Sequence, residues 1–174
     1  MANNVYPDKT VNYMVYDDGN TLLGTASVDL PEIQYMTDTL SGAGIAGEVE
    51  TPVLGHVQAM SVTFHWNTIL SDAVGQLANK GRTLTLRSSQ EQLDTAQGLH
   101  TTVPVKIVLK TLPKSMTFGS FEPGAKTDSE TELEITYIKI EIDSKETLEI
   151  DKLNFIFKVL GDDALSSVRS DLGL

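Results

Sequence analysis

Thr131-Glu132-Leu133-Glu134-Ile135-Thr136-Tyr137-Ile138-Lys139-Ile140-Glu141-Ile142-Asp143 is the stretch on which the fold turns. Apolar and polar residues alternate along it, the pattern of a strand with one buried face. Leu133, Ile135 and Tyr137 share one parity, whereas Ile138, Ile140 and Ile142 share the other, so the buried face changes sides near Tyr137. Asp143-Ser144-Lys145-Glu146 turns the chain into a second run, Thr147 to Leu160, where Leu148 and Ile150 give way to Leu153, Phe155, Phe157 and Val159. A parity change in both partners predicts bulges or a sharp bend, with each half packed on a different layer. These two runs are expected to scaffold the protein, with Ile135, Ile140, Leu153 and Phe157 in its core.

Other strands read outward from this pair. Val57 to Trp66 alternates, with Met60, Val62, Phe64 and Trp66 on one face. Arg82 to Ser88 and Val103 to Lys110 do the same. Near the start, Val11 to Tyr16, the turn Asp17-Asp18-Gly19-Asn20 and Thr21 to Val28 read as a hairpin that ends at Pro31. Ser71 or Asp72 can cap a helix through Lys80, which Gly81 terminates. Pro113, Gly119, Pro123 and Gly124 mark a loop from Pro113 to Thr127, and Asp162 is the expected cap of a short amphipathic helix over Ala164 to Leu172. The expected fold is mainly β: an antiparallel β-sandwich or barrel of seven or eight strands, with one main α-helix and a long glycine-rich loop, in a single domain over 1–174.

That loop holds Ser41-Gly42-Ala43-Gly44-Ile45-Ala46-Gly47-Glu48. Gly42-x-Gly44-x-x-Gly47 fits the spacing of a dinucleotide fingerprint, which requires a buried strand before it and a helix after it. Gln34 to Ser41 is too polar for that strand, and Glu48-Val49-Glu50-Thr51-Pro52 is no helix start. A nucleotide-binding enzyme is therefore the weaker reading; a mobile loop whose glycines permit positive φ is the stronger. A monomeric all-β binding module is a further alternative.

The chain has 174 residues, no cysteine, and 24 acidic against 13 basic residues, a net charge of −11. Disulfides and thiolate metal sites are excluded, and gripping nucleic acid through its phosphates is disfavoured. His56, His65 and His100 lie far apart, no nucleophile elbow is present, and neither a metal nor a cofactor is expected. The N-terminus lacks the pattern of a signal peptide, and no run is long and apolar enough for a membrane anchor. Glu132, Glu134, Glu141, Asp143, Glu149 and Asp151 occur at strand spacing, so each pair lines one face of a sheet rather than forming an acid–base couple. Rows of carboxylates would repel a polyanion.

Both ends of the chain resemble one family. Asn12-Tyr13-Met14-Val15-Tyr16-Asp17-Asp18-Gly19-Asn20 with Leu23-Gly24-Thr25-Ala26-Ser27-Val28-Asp29-Leu30-Pro31, followed by Gly42-Ala43-Gly44, is similar to the opening of the major tail tube proteins of contractile-tailed bacteriophages. Leu148-Glu149-Ile150-Asp151-Lys152-Leu153-Asn154, Val159-Leu160-Gly161-x-Asp163-x-Leu165 and Arg169-x-x-Leu172-Gly173-Leu174 resemble the same family's ending. Asn67 to Ser129 matches only in the order of its elements. The chain departs from the family where Asp143-Ser144 replaces a common Asp-Gly turn and where Leu160-Gly161 replaces Asn-Gly.

The resemblance implies a tail-tube-like fold without catalytic residues, in hexameric rings stacked into a hollow DNA conduit inside a contractile sheath. It implies a virion protein assembled in the host cytoplasm. Its partners would be copies of itself, the sheath, baseplate and tail-terminator proteins, and tape measure protein and DNA in the lumen. The loop at about 34–56 would reach neighbouring subunits and the next ring through Ser41 to Glu48, and at least one of the acidic rows would face the lumen. The tubes of phage-tail-like bacteriocins and of type VI-like injection systems are the alternative particles.

Overall fold

The computed structural model describes residues 5–19, 21–24 and 27–174; Asn20, Thr25 and Ala26 of the expected first hairpin lie outside them. The strands are β1 (Val5–Asp17), β2 (Thr21–Leu23), β3 (Ser27–Asp29), β4 (Tyr35–Leu40), β5 (Val49–Val57), β6 (Ser61–Trp66), β7 (Arg82–Asp94), β8 (Leu99–Thr117), β9 (Ser129–Ile142), β10 (Lys145–Asp151), β11 (Ile156–Val159) and β12 (Asp162–Asp163). Two short helices, α1 (Ser71–Gly75) and α2 (Ser166–Leu172), complete the order.

Every pairing is antiparallel, and the main sheet runs β12-β11-β10-β9-β8-β7-β1-β2, with β3 and β6 joined to β9. β9 is the element that bends it. One edge of β9 pairs with β8; the other pairs with β6 through its first half and with β10 through its second. Between the halves, Lys110 pairs with Tyr137 and Thr111 with Ile135, which leaves Thr136 as an extra residue. Its hydroxyl donates to the Lys110 carbonyl at 3.2 Å. This bulge is the parity change visible in the sequence, and it moves burial from Leu133 and Ile135 to Ile138.

The inner face of the main sheet consists of apolar rows in register. Leu84, Leu109, Ile138, Ile150 and Phe157 form one row, and Val15, Leu86, Ile107, Ile140 and Leu148 form the next. Met60, Val62, Phe64 and Trp66, all within 1% of full burial, cover them from the opposite layer. Each such large side chain contributes about 2–3 kcal/mol by leaving water. The Trp66 indole, a donor that must find a partner when buried, donates to Thr131 Oγ1 at 3.0 Å.

Four expectations are corrected. Thr147 to Leu160 is not one strand but the β10–β11 hairpin. Asp151 Oδ1 accepts the amides of Leu153 and Asn154, each at 3.1 Å, and Phe155 takes a positive φ of 50°, so Leu153 is 73% exposed rather than buried. The helix expected through Lys80 stops at Gly75. The chain beyond tightens into three-residue turns, and the Arg82 guanidinium takes the Gly75 carbonyl at 2.7 Å. β8 continues past Pro113, because β7 ends opposite Thr111 and no ladder bond is needed there from the proline nitrogen. At α2 the amide of Leu165 is accepted by Asp163, not Asp162, at 3.2 Å. Of the remaining expected core residues, Ile135 and Phe157 are buried and Ile140 is partly buried.

Candidate functional site

The glycine-rich stretch is a two-stranded ribbon, not a free loop. β4 and β5 pair with each other from Leu40 and Val49 down to Tyr35 and Val57, as a separate sheet. Only Ser41 to Glu48 forms the tip, where Gly42, Gly44 and Gly47 take φ values of 155°, 98° and 132°. A strand follows these glycines where a nucleotide fingerprint requires a helix.

The ribbon is fixed at its base. The Tyr35 and Phe157 rings lie 5.6 Å apart, Gln58 donates its amide to the Gln34 carbonyl at 2.9 Å, and Gly55 lies against Leu165. Beyond the base it exposes Met36, Leu40, Val49 and Leu54 to about half their full area. It also lies in a stretch, 10–79, with eight carboxylates and neither lysine nor arginine. The ribbon thus combines exposed apolar side chains with acidic charge, the composition of an interaction surface.

The six candidate carboxylates do not form one acidic wall. Glu132 and Glu134 are on the half of β9 that pairs with β6; Glu141 is on the half that pairs with β10, in register with Lys106 and Glu146. Lysines meet four of them: Lys114 reaches Glu132 at 2.7 Å, Lys152 Glu134 at 3.2 Å, Lys106 Glu141 at 3.1 Å and Lys158 Glu149 at 2.9 Å. Lys114 and Ser61 hold the Glu132 carboxyl below the usual carboxylate range, Lys106 does so for Glu141, and Lys158 with Tyr137 for Glu149. Burial, reinforced by the Glu149 carboxylate 3.0 Å away, pushes the Tyr137 phenol up to about 12. Asp151 is buried and spent on its turn, and Asp143 takes a positive φ in the β9–β10 turn.

The polar face of the main sheet is therefore a lattice of both signs. Lys158, Glu149 and Lys139 share one row, and Glu146, Glu141, Lys106 and Arg87 share the next. Alternation along each strand made the carboxylates visible in the sequence. Their lysine partners could be found only with the cross-strand register, which the turns set.

Sequence reasoning missed a buried cluster. Arg82 forms an ion pair with Asp17, which also accepts from Gln76 at 3.0 Å, and the three tie β1, β7 and the end of α1 together. It missed a free edge too. β2 pairs only with Val15 to Asp17 of β1, so among the described residues Val5 to Asn12 have β7 on one side and no strand on the other. No group of three or more His, Cys, Asp or Glu is arranged to hold a metal among the described residues.

An apolar ribbon, an edge of β1 and a polar sheet face are the surfaces that the described residues leave exposed. The tail tube protein of Escherichia phage P2 is 28% identical over 173 residues, covering 97% of this chain and 98% of its own. By structure, the tube terminating cap of the anti-feeding prophage matches 78% of this chain and 91% of its own at a TM-score of 0.55 and 18% identity. The sheath/tube terminator of an extracellular contractile injection system, PVC, matches 78% and 97% at 0.54 and 18% identity; these likenesses speak for the fold alone. The family model of the phage tail tube protein FII matches residues 7–173, and the chain belongs to that family as a non-enzymatic structural subunit of a phage tail tube.

Proposed function

We propose that the subunit closes into hexameric rings that stack into a hollow conduit for DNA inside a contractile sheath. The observation that carries this reading is the edge of β1 from Val5 to Asn12, which no strand covers among the described residues. A long strand edge is a template for another chain, and pairing around a closed ring satisfies it without leaving a new edge. The ribbon over 34–56 bridges subunits, with Ser41 to Glu48 as its contact with the adjacent ring. The polar face of the main sheet lines the channel, so Glu141 and Glu149 face DNA beside Lys106, Lys139 and Lys158, while Glu132 and Glu134 lie outside. Lysines engaged by carboxylates offer phosphates few free contacts, which favours passage over binding. The sheath covers the outside, terminator and baseplate proteins meet the tube's ends, and tape measure protein precedes DNA in the lumen.

Electron microscopy of the purified protein tests the reading. Hexameric rings or regular tubes are expected, and deletion of Gly42 to Gly47 should leave a folded protein that no longer stacks. A strict monomer at high concentration would overturn ring formation.

A further inference from the structure

The loop at 118–128 carries two exposed rings, Phe118 at 49% and Phe121 farther out. Phe121 is 87% exposed, the most exposed of the large apolar side chains. The loop beneath it is braced: Ser120 donates its amide to the Thr127 carbonyl at 3.0 Å, Ala125 donates to Glu122 at 3.1 Å, and Thr127 donates to Asn67 at 2.9 Å. Gly119, at φ 72°, approaches the Thr127 carbonyl so closely that a Cβ would lie 1.7 Å from its oxygen. A ring carried on a braced backbone is a partly preorganised anchor, because less backbone freedom is lost when it is buried.

A socket lies elsewhere on the same chain. β3 is three residues long and covers only part of the inner face of the main sheet, leaving a cavity of about 280 Å³ open to solvent. Tyr13, Val28, Leu86, Ser88, Val105 and Ile107 are among its lining residues, and among the described residues no charged side chain lines it. The buried Ser88 Oγ has no hydrogen-bond partner. Thr10 and Gln90 separate the cavity from a rim that carries Asp8, Lys9 and Glu91. On the loop, Glu122 follows the exposed ring and is itself exposed, while Lys9 on the rim is already shared between Asp8 at 3.0 Å and Glu91 at 3.4 Å.

Anchor and socket cannot meet within one chain. β8 passes the cavity at Val105 and Ile107 and ends at Thr117 beside the loop, ten residues beyond Ile107, and strands rise about 3.4 Å per residue. The separation is roughly 30 Å. Complementary patches at opposite ends of one molecule give a head-to-tail contact that propagates rather than closes on itself.

We propose that Phe121 of one copy inserts into the Tyr13–Val105–Ile107 cavity of a second copy, and that this contact joins copies along the tube. It rests on the reading of a stacked tube and names the anchor and socket that the ribbon alone does not supply.

Because the chain has no cysteine, the contact can be trapped. Phe121→Cys with Thr10→Cys should give a ladder of disulfide-linked oligomers under oxidation, and neither single variant should do so. Phe121→Ser, at an exposed position, should leave thermal unfolding of the subunit unchanged yet raise the concentration needed for polymerisation about tenfold or more. Wild-type tubes accompanied by Phe121→Ser tubes at the same concentration, or by no ladder from the paired cysteines, would overturn the proposal while leaving the tube reading intact. Failure of the wild type to form tubes would instead strike that reading.

Discussion

Gly55 joins the ribbon to the body, and replacing it with alanine measures that joint. Its φ of 65° is left-handed, which costs a non-glycine residue about 1–2 kcal/mol. An added Cβ would lie 2.4, 2.6 and 2.7 Å from Cγ, Cδ2 and Cδ1 of Leu165. The whole branched end of that leucine, only 4% exposed, would have to move, and overpacking of this kind costs about 1–3 kcal/mol. Gly55→Ala should therefore destabilise the subunit by about 2–5 kcal/mol, or about 5–15 °C in Tm for a chain of this size. Circular dichroism on dilute protein reads the change. Leu165→Ala, which alone removes a buried side chain at a cost of about 2–5 kcal/mol, should be much less harmful in the Gly55→Ala background. The double variant should fall short of the sum of the two by about 1–3 kcal/mol. Strict additivity, or a Gly55→Ala Tm within a degree of wild type, would refute the contact.

Arg82→Met should cost about 3–5 kcal/mol, because it leaves the buried Asp17 carboxylate without its cation; Asp17→Asn added to it should recover part of the loss in urea denaturation. Tyr137→Phe should cost about 1–2 kcal/mol for the lost bond to Glu149, and should remove from an ultraviolet pH titration the tyrosine that ionises at about 12. His65 bridges Asp29 at 3.0 Å and Glu130 at 3.2 Å, and chiefly the Asp29 carboxylate raises its pKa. The bridge is thus fully present below about pH 6.5, the ordinary histidine value, and is lost as pH rises through the higher folded pKa. Wild type should lose stability relative to His65→Gln across that interval, and parallel pH profiles for the two would count against the bridge.

What could be read from the sequence was whatever leaves a local period. β6 alternates because one of its faces meets the core and the other meets water, so Met60, Val62, Phe64 and Trp66 identify themselves. The β9 bulge was legible for the same reason, since an extra residue shifts every later side chain to the other parity. The β10–β11 turn was hidden because Leu153, Phe155, Phe157 and Val159 keep a strand's parity straight through it. Only the Asp151 side chain, which accepts two amides ahead of it, marks the break. The Asp17–Arg82 pair spans 65 positions and leaves no local trace. For the candidate site, the glycines located the ribbon tip, but β4 and β5 were missed. Their apolar residues face solvent on both sides, so no buried face imposes an alternation.

If rings close through the β1 edge, as proposed, the subunit has to avoid pairing that edge with everything else. β1 carries devices that do so. Pro7 cannot donate a hydrogen bond to an incoming strand, and the register with β7 shifts between Pro7 and Thr10 and again between Thr10 and Asn12. Lys9 holds charge at the same place, 66% exposed and paired with Asp8 at 3.0 Å and Glu91 at 3.4 Å. A flat, regular strand from another protein would meet a missing donor, two irregularities and a charge along one edge. A partner shaped to those irregularities loses nothing, and a second copy of the subunit presents the same matched surface every time. Irregularity on an edge strand usually keeps a protein monomeric. Under the proposed ring closure it would make the edge selective instead, and the net charge of −11 would disfavour contact between free subunits.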